Sequence, residues 1–391
     1  MKRLLPVWVK GLIKWSVAFL PRLAGIQLLT KAQTVDFLAP HERSQQPENR
    51  LLLPEIIDAL VPARVLFPAK EAVSLPTHCW LYRVTDAQGR LLRYGNLVTN
   101  RAVLCTDYWN HPEIGGIFSL TKRSTRTVDV LVAPFGHYWD MLAFGGYYDF
   151  IFLIAAKLCR LQNALPDVDF STAAVSYPLF NTSYEREFLT LMGFMPTQII
   201  DSRRVDVRAK TCVLGSGGDW FYPNLADVLA VRDRLAPLIV SSGRRKRLYI
   251  SRAGRRRVLN EAELVIMLAR FDIMVVDDKP RSLAEQLSIY HDASFIIGPH
   301  GASFSNCIWC QPGTHLFELF APDYVPDFFL YLARLTGLHY SAYSAGTPAA
   351  RRPDPADTIE NDLTVSIPDL ERRLRRLFAV DQADSCQGQN T

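Results

Sequence analysis

Hydrophobic positions along this chain change their rhythm near residue 246. Upstream, between residues 51 and 129, they come as short runs separated by turn residues. Runs at 61–67, 79–84 and 101–105, with Asp86-Ala87-Gln88-Gly89 as a turn, have the spacing of short strands. Residues 147–161 are apolar for long enough to form a buried helix. Residues 168–177 read as a strand, and 184–192 as a helix that Gly193 stops. A further helix is expected at 222–238, with Pro223 in its first turn. The polar stretch 40–50 reads as a linker.

Downstream the alternation is regular. Residues 247–251 form a strand. Asn260 with Glu263 is a capping box, opening a helix to Arg270 that buries Leu264, Met267 and Leu268. A strand at 272–276 follows, then a second capping box from Ser282 and Glu285 and a helix through His291. Strands at 294–297 and 315–320 and a helix at 326–336, ended by Gly337, complete the series. Four strands alternating with helices predict a doubly wound parallel sheet. A last helix is expected at 367–378, with a disordered tail beyond Ala379.

At 391 residues the chain is too long for one ordinary core. The pattern divides it into a segment 1–39, an N-terminal domain 40–235, a C-terminal domain 236–366, and a helix with tail at 367–391. Net charge is only +5, but it is unevenly spread. Between Met1 and Lys31 there are six Lys or Arg residues and no acid, among Trp, Leu and Val side chains. Lys10, Lys14 and Arg22 interrupt the apolar run, so nothing approaches the ~20 residues needed to span a bilayer. No secretory signal is recognisable. Such a segment reads as lying on an anionic membrane surface, which places the protein in the cytoplasm, peripheral at the inner face of the membrane. A helix packed on the domain itself is the alternative.

Seven scattered cysteines, an odd number, suit a reducing compartment rather than a disulfide framework. Cys307 and Cys310 make a CxxC pair, but no second pair or suitably spaced His accompanies it. They read as two buried small residues on a short helix. Asp167-Val168-Asp169 resembles the acidic pair that bridges a metal to a diphosphate. Here it precedes a strand, whereas a metal pair should follow one, so no metal is expected. Residues 244–257 carry eight basic residues and no acid. Only Tyr249 interleaves them, and it lies inside a strand, so nucleic acid is not an expected partner.

The stretch Ile296-Ile297-Gly298-Pro299-His300-Gly301-Ala302-Ser303-Phe304-Ser305-Asn306 holds the candidate chemistry. A buried strand ends at Gly298, the chain turns, and a helix begins near Ala302. At the carboxyl end of a parallel strand, a helix N-terminus offers unpaired backbone N–H groups to a phosphate. Small residues let the anion approach, while His300 and Ser303 add donors; a simple tight turn is the alternative. Arg252, following Ser251 at the end of its strand, could grip phosphate oxygens in bidentate fashion. Glu318, near the end of another strand, could accept bonds from a ribose diol.

These residues carry a resemblance. Tyr249-Ile250-Ser251-Arg252, Asn260-Glu261, Glu285-Gln286, Gly298-Pro299-His300-Gly301-Ala302, Asn306, Pro312-Gly313-Thr314 and Glu318 resemble, in order and spacing, glycosyltransferase family 61. The branch expected is that of bacterial capsule and envelope polysaccharides. The resemblance implies an α/β fold of glycosyltransferase-B type, with two Rossmann-like domains facing each other across a cleft. It implies inverting, metal-independent transfer from a nucleotide-sugar co-substrate, with no other cofactor, to a polysaccharide or glycolipid. The N-terminal domain would be the acceptor side and the C-terminal one the donor side. Donor-binding candidates are Ser251, Arg252, Arg255, His300, Gly301, Ala302, Ser303, Asn306 and Glu318. Bacterial members usually carry an aromatic pair followed by His and Trp in an N-terminal helix, where this chain has Tyr147-Tyr148-Asp149-Phe150. Asp149 is therefore the first candidate for catalytic base, with Asp140 and His137 behind it. The departure also admits a catalytically inactive sugar-nucleotide or polysaccharide-binding partner of an assembly complex.

Overall fold

The computed structural model describes residues 25–84, 89–99, 102–107, 123–135, 146–346 and 360–387, with side chains to residue 379. The basic segment at 1–24 and the candidates His137 and Asp140 lie outside the described residues. The fold is mixed α/β with parallel sheets, and contacts divide the chain into two compact units. One comprises Met1–Asn49 with Val73–Arg234, the other Arg50–Ala72 with Leu235–Thr391. Among the described residues, no helix is long and apolar enough to cross a membrane.

The first unit is built on a mixed sheet. Four parallel strands run in the order Val205–Gly215, Ser124–Ala133, Ala174–Tyr177, Ile199–Asp201. Thr77–Arg83 and Gly89–Leu91 pair antiparallel on the other side of Val205–Gly215. The apolar run after Gly146 is one continuous helix from Tyr147 to Ala164, widened to a π-helix over Phe150–Ala155. Its residues from Phe150 to Leu161 are all buried, including two cations. Lys157 pairs with Asp107, and Arg160 donates to Asp227 at 2.6 Å. These pairings permit the charges inside a core that would otherwise exclude them.

The second unit carries five parallel strands in the order Ile273–Val276, Lys246–Ile250, Ala293–Pro299, His315–Phe320, His339–Ser344. Counted along the chain, this is the doubly wound order 2-1-3-4-5. Helix Glu261–Ala269 packs on the C-terminal helix Ile367–Gln387, while Leu283–His291 and Phe328–Thr336 pack on the segment Ala302–Trp309. Leu370, Leu374 and Phe378 recur every four residues and join Tyr249, Phe295 and Phe317 in one cluster. Each such side chain contributes roughly 1.5–3 kcal/mol by leaving water. The C-terminal helix thus reaches Gln387, well past the expected end at residue 378.

Three local expectations change. Asn260 does not cap its helix by its side chain. Its Nδ2 instead donates to the Val365 carbonyl at 2.8 Å, and its Oδ1 accepts from the Val365 N–H at 3.0 Å. The fifth strand, His339–Ser344, was unexpected because its sequence is rich in Ser and His. Ser341 and Ser344 are nevertheless buried, and His315 bonds Ser341 at 2.9 Å. Finally, residues 50–72 leave the first unit to join the second. There Ile56–Ile57 pairs with Val65–Phe67, and the Ala59 N–H bonds the Ala342 carbonyl at 2.8 Å.

Asp58 fastens this excursion. Its side chain is fully buried and accepts from the Leu60 and Val61 N–H groups, from Arg64 and from the Ser344 N–H at 3.1 Å. Asp58→Ala leaves those donors without their acceptor. The expected cost is about 3 kcal/mol in urea denaturation, the low end for a broken buried pair because Arg64 keeps two carbonyl acceptors. A loss below the error of the measurement would show that the excursion docks without it.

Candidate functional site

In a sheet of this order, ligands bind outside the carboxyl ends of the strands where the chain reverses direction across the sheet. Here that point lies between Lys246–Ile250 and Ala293–Pro299, which are neighbours and parallel. Ser251 and Arg252 follow the first strand; His300 and Gly301 follow the other. Arg252 Nη1 donates to the His300 carbonyl at 2.9 Å. Two glycines make this approach possible. A Cβ on Gly298 would meet the Ile250 carbonyl oxygen at 2.7 Å, and one on Gly301 would sit 1.7 Å from Arg252 Nη1. The expected α-helix after Gly301 is a 3₁₀-helix, Ala302–Trp309, with no side-chain cap. The first N–H groups of a helix have no partner within it, so those at Ala302 and Ser303 are suited to an anion.

Behind the turn lies a buried polar chain. Glu318 is completely enclosed; its Oε1 contacts His300 Nδ1, and its Oε2 accepts from the Tyr340 hydroxyl at 2.5 Å. The imidazole stacks on Phe320 at 5.2 Å and meets the edges of Tyr324 and Phe329. Burial holds His300 well below its ordinary range, helped by the Arg256 and Arg252 charges. Burial also lifts Glu318 well above its own. The two directions together favour a neutral pair in which the carboxyl proton is donated to Nδ1 and His300 carries its own proton on Nε2. Glu318 was expected from sequence to accept bonds from a ribose diol, but it is enclosed, and both its oxygens are engaged by His300 and Tyr340.

The basic run sorts itself by direction. Arg255 is exposed and pairs with Glu360 at 3.5 Å, and Arg257 forms a bidentate pair with Asp362. Arg256 points inward and is 6% exposed. Its guanidinium lies 5.4 Å from the Tyr324 ring, which also borders His300. Burial and the nearby Arg252 charge lower Arg256 to about 10. Its φ of 60° is left-handed, a conformation that costs a non-glycine residue roughly 1–2 kcal/mol. The Arg257–Asp362 pair and the Val258–Leu363 bridge hold it there. Sequence reasoning missed Arg256, because a run of three arginines does not reveal which one faces in.

The other candidates are placed as follows. Ser251 Oγ donates to Glu261 at 2.8 Å, alongside the Tyr249 hydroxyl. Ser303 is half-buried, while Asn306 is buried and donates to Gln286 at 3.3 Å. Asp149 is buried and accepts from the Trp220 indole at 2.8 Å and from the Gly146 N–H at 3.1 Å, the arrangement of a helix cap. Asp169 is exposed and turns its carboxylate onto Ser171. Cys307 and Cys310 are both buried. Among the described residues, no cluster of three or more His, Cys, Asp or Glu is arranged to hold a metal.

The Glu318–His300 pair makes a pH prediction. Glu318, raised, favours the folded state fully below its ordinary 4.5 and loses that contribution as pH climbs toward its folded value. His300, lowered, favours the folded state fully above 6.5 and loses that contribution as pH falls. From 4.5 to 6.5 the two slopes cancel; outside that window stability falls by up to about 1.4 kcal/mol per pH unit. In Glu318→Gln the alkaline fall is expected to vanish and the acid fall to begin near 6.5. Denaturant titrations across pH measure both, and an unchanged alkaline limb would sink the neutral-pair assignment.

Comparison with known proteins places the chain in a family. The family model "Glycosyltransferase 61" matches residues 15–317, which include both Arg252 and His300. The chain is similar to the EGF domain-specific O-linked N-acetylglucosamine transferase of Mus musculus, 40% identical over 90 residues. That match covers 22% of this chain and 17% of the mouse protein. The Xenopus laevis counterpart is 38% identical over 96 residues, covering 23% of this chain and 18% of its own. A Beta-1,2-xylosyltransferase of Arabidopsis thaliana is 33% identical over 79 residues, covering 20% and 14% respectively. The chain thus spans less than a fifth of the length of these relatives, which are animal and plant enzymes rather than members of the bacterial capsule branch expected above. Since the family match runs through well over half of its residues and includes the sheet's switch point, the chain belongs to glycosyltransferase family 61.

Proposed function

We propose that this chain transfers a sugar from a nucleotide-sugar donor to a glycan hydroxyl, with inversion, and holds the donor diphosphate at the carboxyl edge of the second unit's sheet. The observation carrying this reading is the meeting of Arg252 and His300 at the switch point, where Gly298 and Gly301 leave room for the close approach. The acceptor oxygen would attack the anomeric carbon as the bond to the diphosphate breaks. Negative charge then grows on the departing oxygen. The Arg252 guanidinium, the His300 Nε2–H and the first N–H groups of Ala302–Trp309 are the donors placed to stabilise it. Such a set does electrostatically what a metal does in other transferases. The same reading takes the two compact units as the acceptor and donor sides of a glycosyltransferase-B architecture. It takes the basic N-terminal segment as an attachment to an anionic membrane surface on the cytoplasmic side. The relatives' names make N-acetylglucosamine and xylose the first donor sugars to assay.

Calorimetry with nucleoside diphosphates tests the site. Arg252→Ala should weaken binding by about 1.5–3 kcal/mol, the range for a bond to a charged group. Gly301→Ala should fold and lose affinity too, because its methyl displaces the Arg252 tip. Undiminished affinity in both variants would take the donor away from this edge. Transfer activity should also persist in EDTA; complete loss that Mn²⁺ restores would replace this mechanism with a metal-dependent one.

A further inference from the structure

We propose that Arg256 is a second guanidinium for the donor diphosphate, gripping it beside Arg252. This rests on the reading of the switch point as a nucleotide-sugar site and adds to it a residue that no sequence motif singled out. The argument starts from how the chain treats buried cations elsewhere. Lys157 has Asp107, Arg160 has Asp227 and Arg64 has Asp58. Arg256 is nearly as buried as Lys157 and Arg160 and more so than Arg64, yet its Nε has no hydrogen-bond partner among the described residues. Its side chain forms no ion pair there, and its recorded neighbour is the face of Tyr324. Glu318, the carboxyl group close by, is already taken by His300 and Tyr340. Arg252, which donates to the His300 carbonyl, adds like charge to Arg256 rather than relief.

An enclosed guanidinium without a carboxylate partner, beside the half-buried Arg252, is costly to hold, and a strained backbone adds to that cost at Arg256. An anion with charge on two adjacent phosphoryl groups would relieve both, since each fork can engage one group. A single phosphate offers less reason for two forks, and a carboxylate less still. The clamp of Arg257 on Asp362 keeps the loop from relaxing outward, so the inward guanidinium is available before the ligand arrives.

The test uses the full chain with inorganic pyrophosphate as probe, read by calorimetry and by melting temperature. Wild-type protein is expected to bind the probe and melt higher in its presence. Arg256→Met should weaken binding about tenfold to a hundredfold. Without anion it should melt no lower than wild type, since it removes a buried charge that lacks a partner. Arg256→Lys keeps the charge without the planar fork and should fall between the two. Equal affinity in wild type and Arg256→Met overturns the role of Arg256 while leaving Arg252 as a diphosphate ligand. A wild type that binds neither pyrophosphate nor uridine diphosphate removes the underlying reading, and this inference with it. If both variants melt lower and the lysine variant binds as wild type does, Arg256 is a structural residue and the proposal fails.

Discussion

A carboxyl group with no access to water governs the second unit. Glu318 sits on a central strand with nothing but protein around it, and such a group is tolerable only if every lone pair and proton is answered. The hydrogen-bond partners come from two places in the sequence, and a third supplies apolar cover. His300 arrives from the turn after the neighbouring strand, Tyr340 from the strand beyond, and Phe67 from the excursion packs against Tyr340 and Phe320. Fixing Glu318 therefore fixes the imidazole, the turn that carries it and the carbonyl that receives Arg252. The polar edge of the sheet is an extension of its apolar core.

Much of this architecture was legible in the sequence. The alternation after residue 246 reflects a real physical repeat, because strands buried on both faces must be almost wholly apolar and helices between them must show a stripe. Lys246–Ile250, Ile273–Val276 and His315–Phe320 fall where that logic puts them. It fails where buried polar residues satisfy one another. The strand that buries Ser341 and Ser344 was not expected, and nothing in the pattern named the partners of Lys157 and Arg160, because hydropathy cannot see the groups that make such burial affordable. The Asn260 capping box fails for a related reason, since two backbone groups of Val365 compete for its side chain, whereas Ser282 caps its helix as expected by accepting from the Glu285 N–H.

The candidate site was legible as a place but less so as a set of roles. Gly298 and Gly301 announce a close approach, and the structure shows what approaches each. Glu318 was visible as a charged residue in an apolar strand, but its neutral, inward role depends on His300 and Tyr340, which are distant in sequence. Arg256 depends on a single left-handed residue, a property that neither composition nor periodicity encodes.

The excursion of residues 50–72 has a consequence for how the chain comes together. Asp58 and Arg64 bond backbone that follows them by some 280 residues, so the edge beside His339–Ser344 cannot close until nearly the whole polypeptide is present. During synthesis the early segment must wait, its apolar side chains uncovered, while the first unit's sheet forms around its two ends. Contacts of such long sequence separation slow folding and lengthen the time that sticky surface is exposed. A fragment beginning at Leu235 would carry all five strands of the parallel sheet but not the cover for its last one. The compact unit in this half of the protein is thus discontinuous in sequence, and a rearranged chain that placed residues 50–72 directly before Leu235 would be expected to close this edge faster than the native order.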